Sequence, residues 1–113
     1  MLKKILIIFG LMFLSPVSFS QSQVDTIYYS NGNIKELRPI NNNNKFHGTC
    51  VRYSINGDTL ATANYKNGKK HGTWKIWREN KTLAYEFNYV NGQKSGLFLG
   101  YDQNNNIILR KVY

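Results

Sequence analysis

Asn67-Gly68-Lys69-Lys70-His71-Gly72-Thr73-Trp74-Lys75-Ile76-Trp77 decides the fold. Moving the chain by 24 residues lays Asn91-Gly92-Gln93-Lys94-Ser95-Gly96-Leu97-Phe98-Leu99-Gly100-Tyr101 over it, and moving it back by 24 lays Asn43-Asn44-Lys45-Phe46-His47-Gly48-Thr49-Cys50-Val51-Arg52-Tyr53 over it. A fixed period of this length marks a supersecondary unit stacked on copies of itself. Tyr29, Tyr53, Trp77 and Tyr101 form a column that counts four copies, and Tyr65, Tyr89 and Tyr113 recur at the same step.

Each copy holds two strand-like runs. In the third these are residues 73–78 and 82–89, rich in β-branched and aromatic side chains and free of Pro. Alternation puts Leu83, Tyr85, Phe87 and Tyr89 on a dry face and Thr82, Ala84, Glu86 and Asn88 on a wet one. Asn67-Gly68 and Asn91-Gly92 are the pairs that tolerate positive φ at both centres of a type I′ hairpin turn. Asn31-Gly32 and Gly57 mark the other turns, and Gly48, Gly72 and Gly96 stand ahead of the aromatic strands, where a residue without Cβ can re-aim the chain. Connections this short allow only neighbour pairing. The expected fold is all-β: one elongated, twisted antiparallel meander of about four β-hairpin repeats in a single sheet. Its last strand ends at Tyr113 with nothing after it, an edge open to another chain or to a second copy.

Residues 1–20 stand apart as a secretory signal peptide. Lys3 and Lys4 precede an apolar run over residues 5–14, Pro16 interrupts it, and Ser18 and Ser20 supply small side chains ahead of a cleavage before Gln21. Ten apolar residues are too few to cross a hydrocarbon layer of about 30 Å as a helix. The expectation is an exported protein, periplasmic or secreted, with residues 21–26 as a polar leader and 27–113 as the repeat domain.

The 113-residue chain carries 15 Lys and Arg against six Asp and Glu, and without Lys3 and Lys4 it keeps a formal +7. That balance suits anionic partners. Cys50, the only cysteine, excludes an internal disulfide. It falls in the column of Trp74 and Phe98, so it reads as a small buried hydrophobe. His47 and His71 occupy equivalent turns, too few ligands for zinc, and read as turn-closing residues. The acidic residues are dispersed and unpaired, so the inventory points to no catalytic residue, metal or cofactor. Binding is the surviving class. Tyr53, Trp77 and Tyr101, with Arg52, Lys75 and Arg78, form the candidate binding face, where rings beside cations suit acidic proteins, sugars or membrane interfaces. Export argues against nucleic acid as the partner.

Tyr65, Asn67, Gly68, Lys69, His71, Gly72, Trp74 and Trp77, echoed at Tyr89, Asn91, Gly92, Lys94, Gly96, Phe98 and Tyr101, give the chain a pattern that resembles the MORN-repeat superfamily, in its bacterial variant form. The likeness covers residues 28–113. It departs where Ser95 replaces the histidine and Asn104-Asn105 replaces Asn-Gly. The resemblance implies a hairpin-built sheet used as a non-enzymatic binding scaffold, for a protein partner first, for anionic lipid or envelope polysaccharide as an alternative, or as an antitoxin-like neutralising protein.

Overall fold

A computed structural model describes residues 3–8 and 22–113; the cleavage expected before Gln21 lies outside the described residues. The strands are β1 (Lys3–Ile8), β2 (Ser22–Tyr28), β3 (Ile34–Ile40), β4 (Gly48–Tyr53), β5 (Thr59–Lys66), β6 (Lys69–Lys70), β7 (Gly72–Trp77), β8 (Leu83–Val90), β9 (Gln93–Tyr101) and β10 (Ile107–Val112). They pair antiparallel in chain order in one sheet, with the two-residue β6 set against β5. β2/β3, β4/β5, β7/β8 and β9/β10 are the four expected hairpins. The radius of gyration is 17.0 Å, against about 13 Å for a compact domain of this length, and the extents are 56 × 36 × 23 Å. One layer cannot wrap around its own core, so the chain is long and thin.

Ser22–Tyr28 is a strand along its whole length, which corrects the reading of residues 21–26 as a leader. Polarity misled there because Asp25 is used inside the sheet. It is buried, and Arg38 of the paired strand donates to its carboxylate at 3.0 Å.

The hairpin tips define the repeat. The amides of Tyr29, Ser54, Arg78 and Asp102 each donate to the carbonyl four residues on, at 2.7–2.9 Å. Tyr29 is thus equivalent to Ser54, and the column of the first copy belongs to Tyr28: Tyr28 pairs with Ile34 as Tyr53 pairs with Thr59, Trp77 with Leu83 and Tyr101 with Ile107. The extra residue sits in the asparagine run. Ile40 bridges Phe46, whereas the equivalent Tyr65 pairs with Lys70, one residue nearer.

Beside every tip the register slips by one. Lys35, Leu60, Ala84 and Ile108 are passed over between consecutive pairs, a bulge repeated in all four hairpins. Bulges add twist and bend to a strand. The slip turns Leu83 towards Trp77, out of the Tyr85 row, and buries Ala84 to 6% exposure instead of leaving it on a wet face.

The other turns join one copy to the next. Asn67 and Gly68 have φ of 49° and 84°, and Asn91 and Gly92 of 47° and 87°, the type I′ signature. Each turn then docks on the preceding copy. The Asn67 amide donates to His47 Nδ1 at 3.1 Å and the Gly68 amide to the Phe46 carbonyl at 2.8 Å; Asn91 and Gly92 repeat this on His71 and Lys70 at 3.2 and 2.8 Å. The histidines therefore close turns, as expected. The glycine after each histidine sits at a crimp where two residues are looped out of register. At Gly72, φ is 106° and an added Cβ would lie 3.2 Å from the Asn64 Cβ, so a left-handed backbone and a close neighbour both call for glycine there. Gly32, Gly48, Gly57 and Gly96 also have positive φ.

Candidate binding face

Residues directly opposite one another across antiparallel strands share a face. The register therefore puts Cys50 with Ala63, Arg52 with Ala61 and Ile76, and Trp74 with Phe87, all on one side of the sheet. The rings on this side form a continuous row. Phe46 meets Tyr65 edge-on at 5.2 Å, Tyr65 meets Trp74 at 5.4 Å, Trp74 meets Phe87 and Tyr89 at 6.0 and 5.2 Å, and Phe87 stacks on Phe98 at 5.0 Å and 18°. Tyr85 closes on Phe98 at 5.8 Å. Such pairs add about 0.5–1.5 kcal/mol each beyond area burial.

Two lysines of the repeat are folded into this row. Lys70 Nζ stands 5.2 Å from the Trp74 ring centroid and 5.1 Å from that of Tyr89; Lys94 Nζ stands 5.8 Å from Phe98 and 5.1 Å from Tyr113. Their ammonium groups rest on ring faces of the protein itself, and their methylene stems cover the rings. In the second copy the equivalent position is Phe46, over which the Arg38 guanidinium lies at 5.6 Å.

Beside this row the second copy departs from the pattern of the third. Where the third copy has Trp74, Tyr85 and Phe87, the second has Cys50, Ala61 and Ala63. Three rings are missing from one spot, and an open cavity of about 420 Å³ lies there. Phe46, Tyr65, Trp74 and Ile76 wall it. Its rim carries Glu36, Arg38 and Arg52, where Arg38 is bound to Asp25 and Arg52 donates through two guanidinium nitrogens to Glu36. Two cations face two carboxylates, so the rim is balanced. The half-buried Cys50 thiol is pushed up to about 11, chiefly by loss of hydration, with Arg38 pulling the other way.

The opposite side is polar. Thr49 Oγ1 donates to Asn64, Asn64 Nδ2 donates to the Thr73 carbonyl, and Thr73 Oγ1 donates to Asn88 at 2.7 Å. Lys75 reaches Glu86 at 3.5 Å on the same side.

The six residues chosen for a binding face are divided by this geometry. Lys75 and Trp77 line a shallow depression on the polar side, whereas Arg52 stands on the ring side beside the cavity. Arg78 is turned inward and donates to the carbonyls of Leu83 and Tyr101, which ties one hairpin tip to the next. The Tyr53 carbonyl accepts from the Tyr29 hydroxyl at 2.8 Å. Among the described residues, Tyr53, Trp77 and Tyr101 stack on no other ring. Sequence reasoning missed Glu36, Arg38, Ala61 and Ala63. The signal for the two alanines was present at the period of 24, as a column reading Ala63 then Phe87. Asp25 and Arg38 were hidden, because the first copy is offset by 25.

A family model described as MORN repeat variant matches residues 26–42 and 70–91. No curated protein matches the chain, and no solved structure does.

Proposed function

The chain belongs to the MORN repeat variant family, a repeat-type binding scaffold, and we propose that this member is exported with loss of residues 1–20, which takes β1 off the edge of the sheet, and binds another protein through its ring-lined sheet face. One observation carries the reading. A row of seven rings lies on one side of a single sheet, yet among the described residues Ala84 and Phe87 are the only buried hydrophobic side chains. Tyr85, in that row, is 41% exposed. An apolar face of this extent, rimmed by polar residues, is what association covers. A protein is favoured over anionic lipid or polysaccharide because the arginines at the open part of this face already have carboxylate partners, Arg38 with Asp25 and Arg52 with Glu36.

Immobilised protein, challenged with an extract of its own cell envelope, should retain one defined protein at high salt, and Tyr85→Ser should release it while Trp77→Ser does not. Retention of anionic liposomes or glycans that disappears as salt is raised would replace this reading with the lipid or polysaccharide one, since exposed charge attraction is screened over about 8 Å at physiological ionic strength. Mass spectrometry of the exported protein should find Gln21 at its N-terminus; an intact Lys3–Lys4 start would end the export reading.

A further inference from the structure

We propose that the cavity over Cys50, Ala61 and Ala63 is a socket for one aromatic side chain of the protein partner. The inference deepens the scaffold reading above and rests on it for the identity of the occupant.

The repeat supplies its own template. In the third copy the same three positions hold Trp74, Tyr85 and Phe87, and Trp74 meets Phe87 at 6.0 Å and Tyr89 at 5.2 Å, both on β8. In the second copy the backbone is the same, with Cys50 set against Ala63 as Trp74 is set against Phe87. The ring partners that would receive such a group remain in place: Tyr65 meets Phe46 on one side and Trp74 on the other. The ring row thus runs along the edge of the gap, and a ring from outside would pack against it.

Size and charge narrow the occupant. At about 420 Å³ the cavity lies at the small end of ligand pockets, with room for a ring and its stem but not for a folded segment. The rim does not ask for a charge, because Arg38 is matched by Asp25 at 3.0 Å and Arg52 by Glu36. A lipid phosphate or an acidic sugar would have to displace a carboxylate from its own arginine. The thiol on the floor, held protonated by loss of hydration, offers only a weak donor. An uncharged planar group, buried against Phe46, Tyr65 and Trp74, uses everything the site presents. Buried aromatic anchors seated in a preformed pocket are also the groups that dominate protein interfaces.

The test fills the socket from within. N-acetyl-tryptophanamide, added to the full protein, should produce saturable NMR shifts at Tyr65, Trp74 and Cys50 with a millimolar midpoint, and N-acetyl-lysinamide should not. Ala63→Phe restores the ring of the third copy. It should raise the midpoint for the tryptophan amide at least tenfold, leave the melting temperature equal or higher, and weaken high-salt retention of the protein partner at least tenfold. Ala61→Tyr provides a second filling should the first fail to fold. Shifts that do not saturate, or a midpoint unchanged in both filled variants, overturn the socket. Equal retention of the partner by wild type and filled variants also overturns it and leaves the scaffold reading standing. If neither form retains a protein, the scaffold reading falls and takes the partner's ring with it, even where the amide binds.

Discussion

Phe87→Ala should remove a large share of the domain's stability. Phe87 is 9% exposed and touches three rings, Trp74 at 6.0 Å, Tyr89 at 5.9 Å and Phe98 at 5.0 Å. Truncation of a buried Phe to Ala costs about 3–5 kcal/mol, the spread reflecting how far the surroundings collapse into the gap. Here the lower end applies, because the face is open and its neighbours can relax into the space. About 3 kcal/mol is still a large share of the roughly 5–15 kcal/mol that holds a small domain together. With a urea slope of about 1.5 kcal/mol/M, the unfolding midpoint should fall by about 2 M. Trp77, half-buried and without a ring partner, is the control; Trp77→Ala should cost about 1 kcal/mol, half the value of a fully buried side chain. Urea titrations followed by far-ultraviolet circular dichroism measure both. A loss for Phe87→Ala no greater than that for Trp77→Ala would refute the claim that the domain is held by the rings of one face.

Gly72→Ala forces a side chain into φ of 106° with 3.2 Å clearance to Asn64, so it should destabilise by about 1–3 kcal/mol and lower the melting temperature by several degrees in calorimetry. His71→Leu removes the acceptor of the Asn91 amide, at a cost of about 0.5–1.5 kcal/mol, and hydrogen exchange at Asn91 should speed up while that at Asn67 stays unchanged. Cys50 should react with an aromatic disulfide about 100-fold more slowly at pH 8 than an open thiol of pKa 9.0, because with a pKa of about 11 its thiolate fraction is lower by that factor. The unfolded chain releases the Cys50 proton first, so its contribution to stability is complete below pH 9.0 and is lost as pH rises towards about 11; Cys50→Ser should flatten that fall in alkaline melting curves.

The strands, the turns and the single antiparallel sheet were legible because each rests on local rules. Side-chain alternation, Asn-Gly pairs and a period of 24 act within one or two dozen residues, and the backbone follows them at Asn67, Gly68, Asn91 and Gly92. The turn role of His47 and His71 was legible for the same reason, whereas their anchoring of the next copy's amides was not. That bond joins residues 20 apart and depends on how hairpins stack.

Three matters belonged to the tertiary structure alone. One added residue among positions 41–45 moves the column of the first copy to Tyr28, and a sliding comparison at constant step passes over a single insertion; the pairing of Asp25 with Arg38 follows from the register of the first hairpin. The repeated bulge decides that Leu83 faces Trp77 and that Ala84 is buried, since a slip of one residue exchanges faces. The cavity exists only because Cys50, Ala61 and Ala63, small residues from two strands, meet on one side. Composition sets which side chains are small. Pairing across strands sets whether their missing volumes add up to a space, and pairing is long-range.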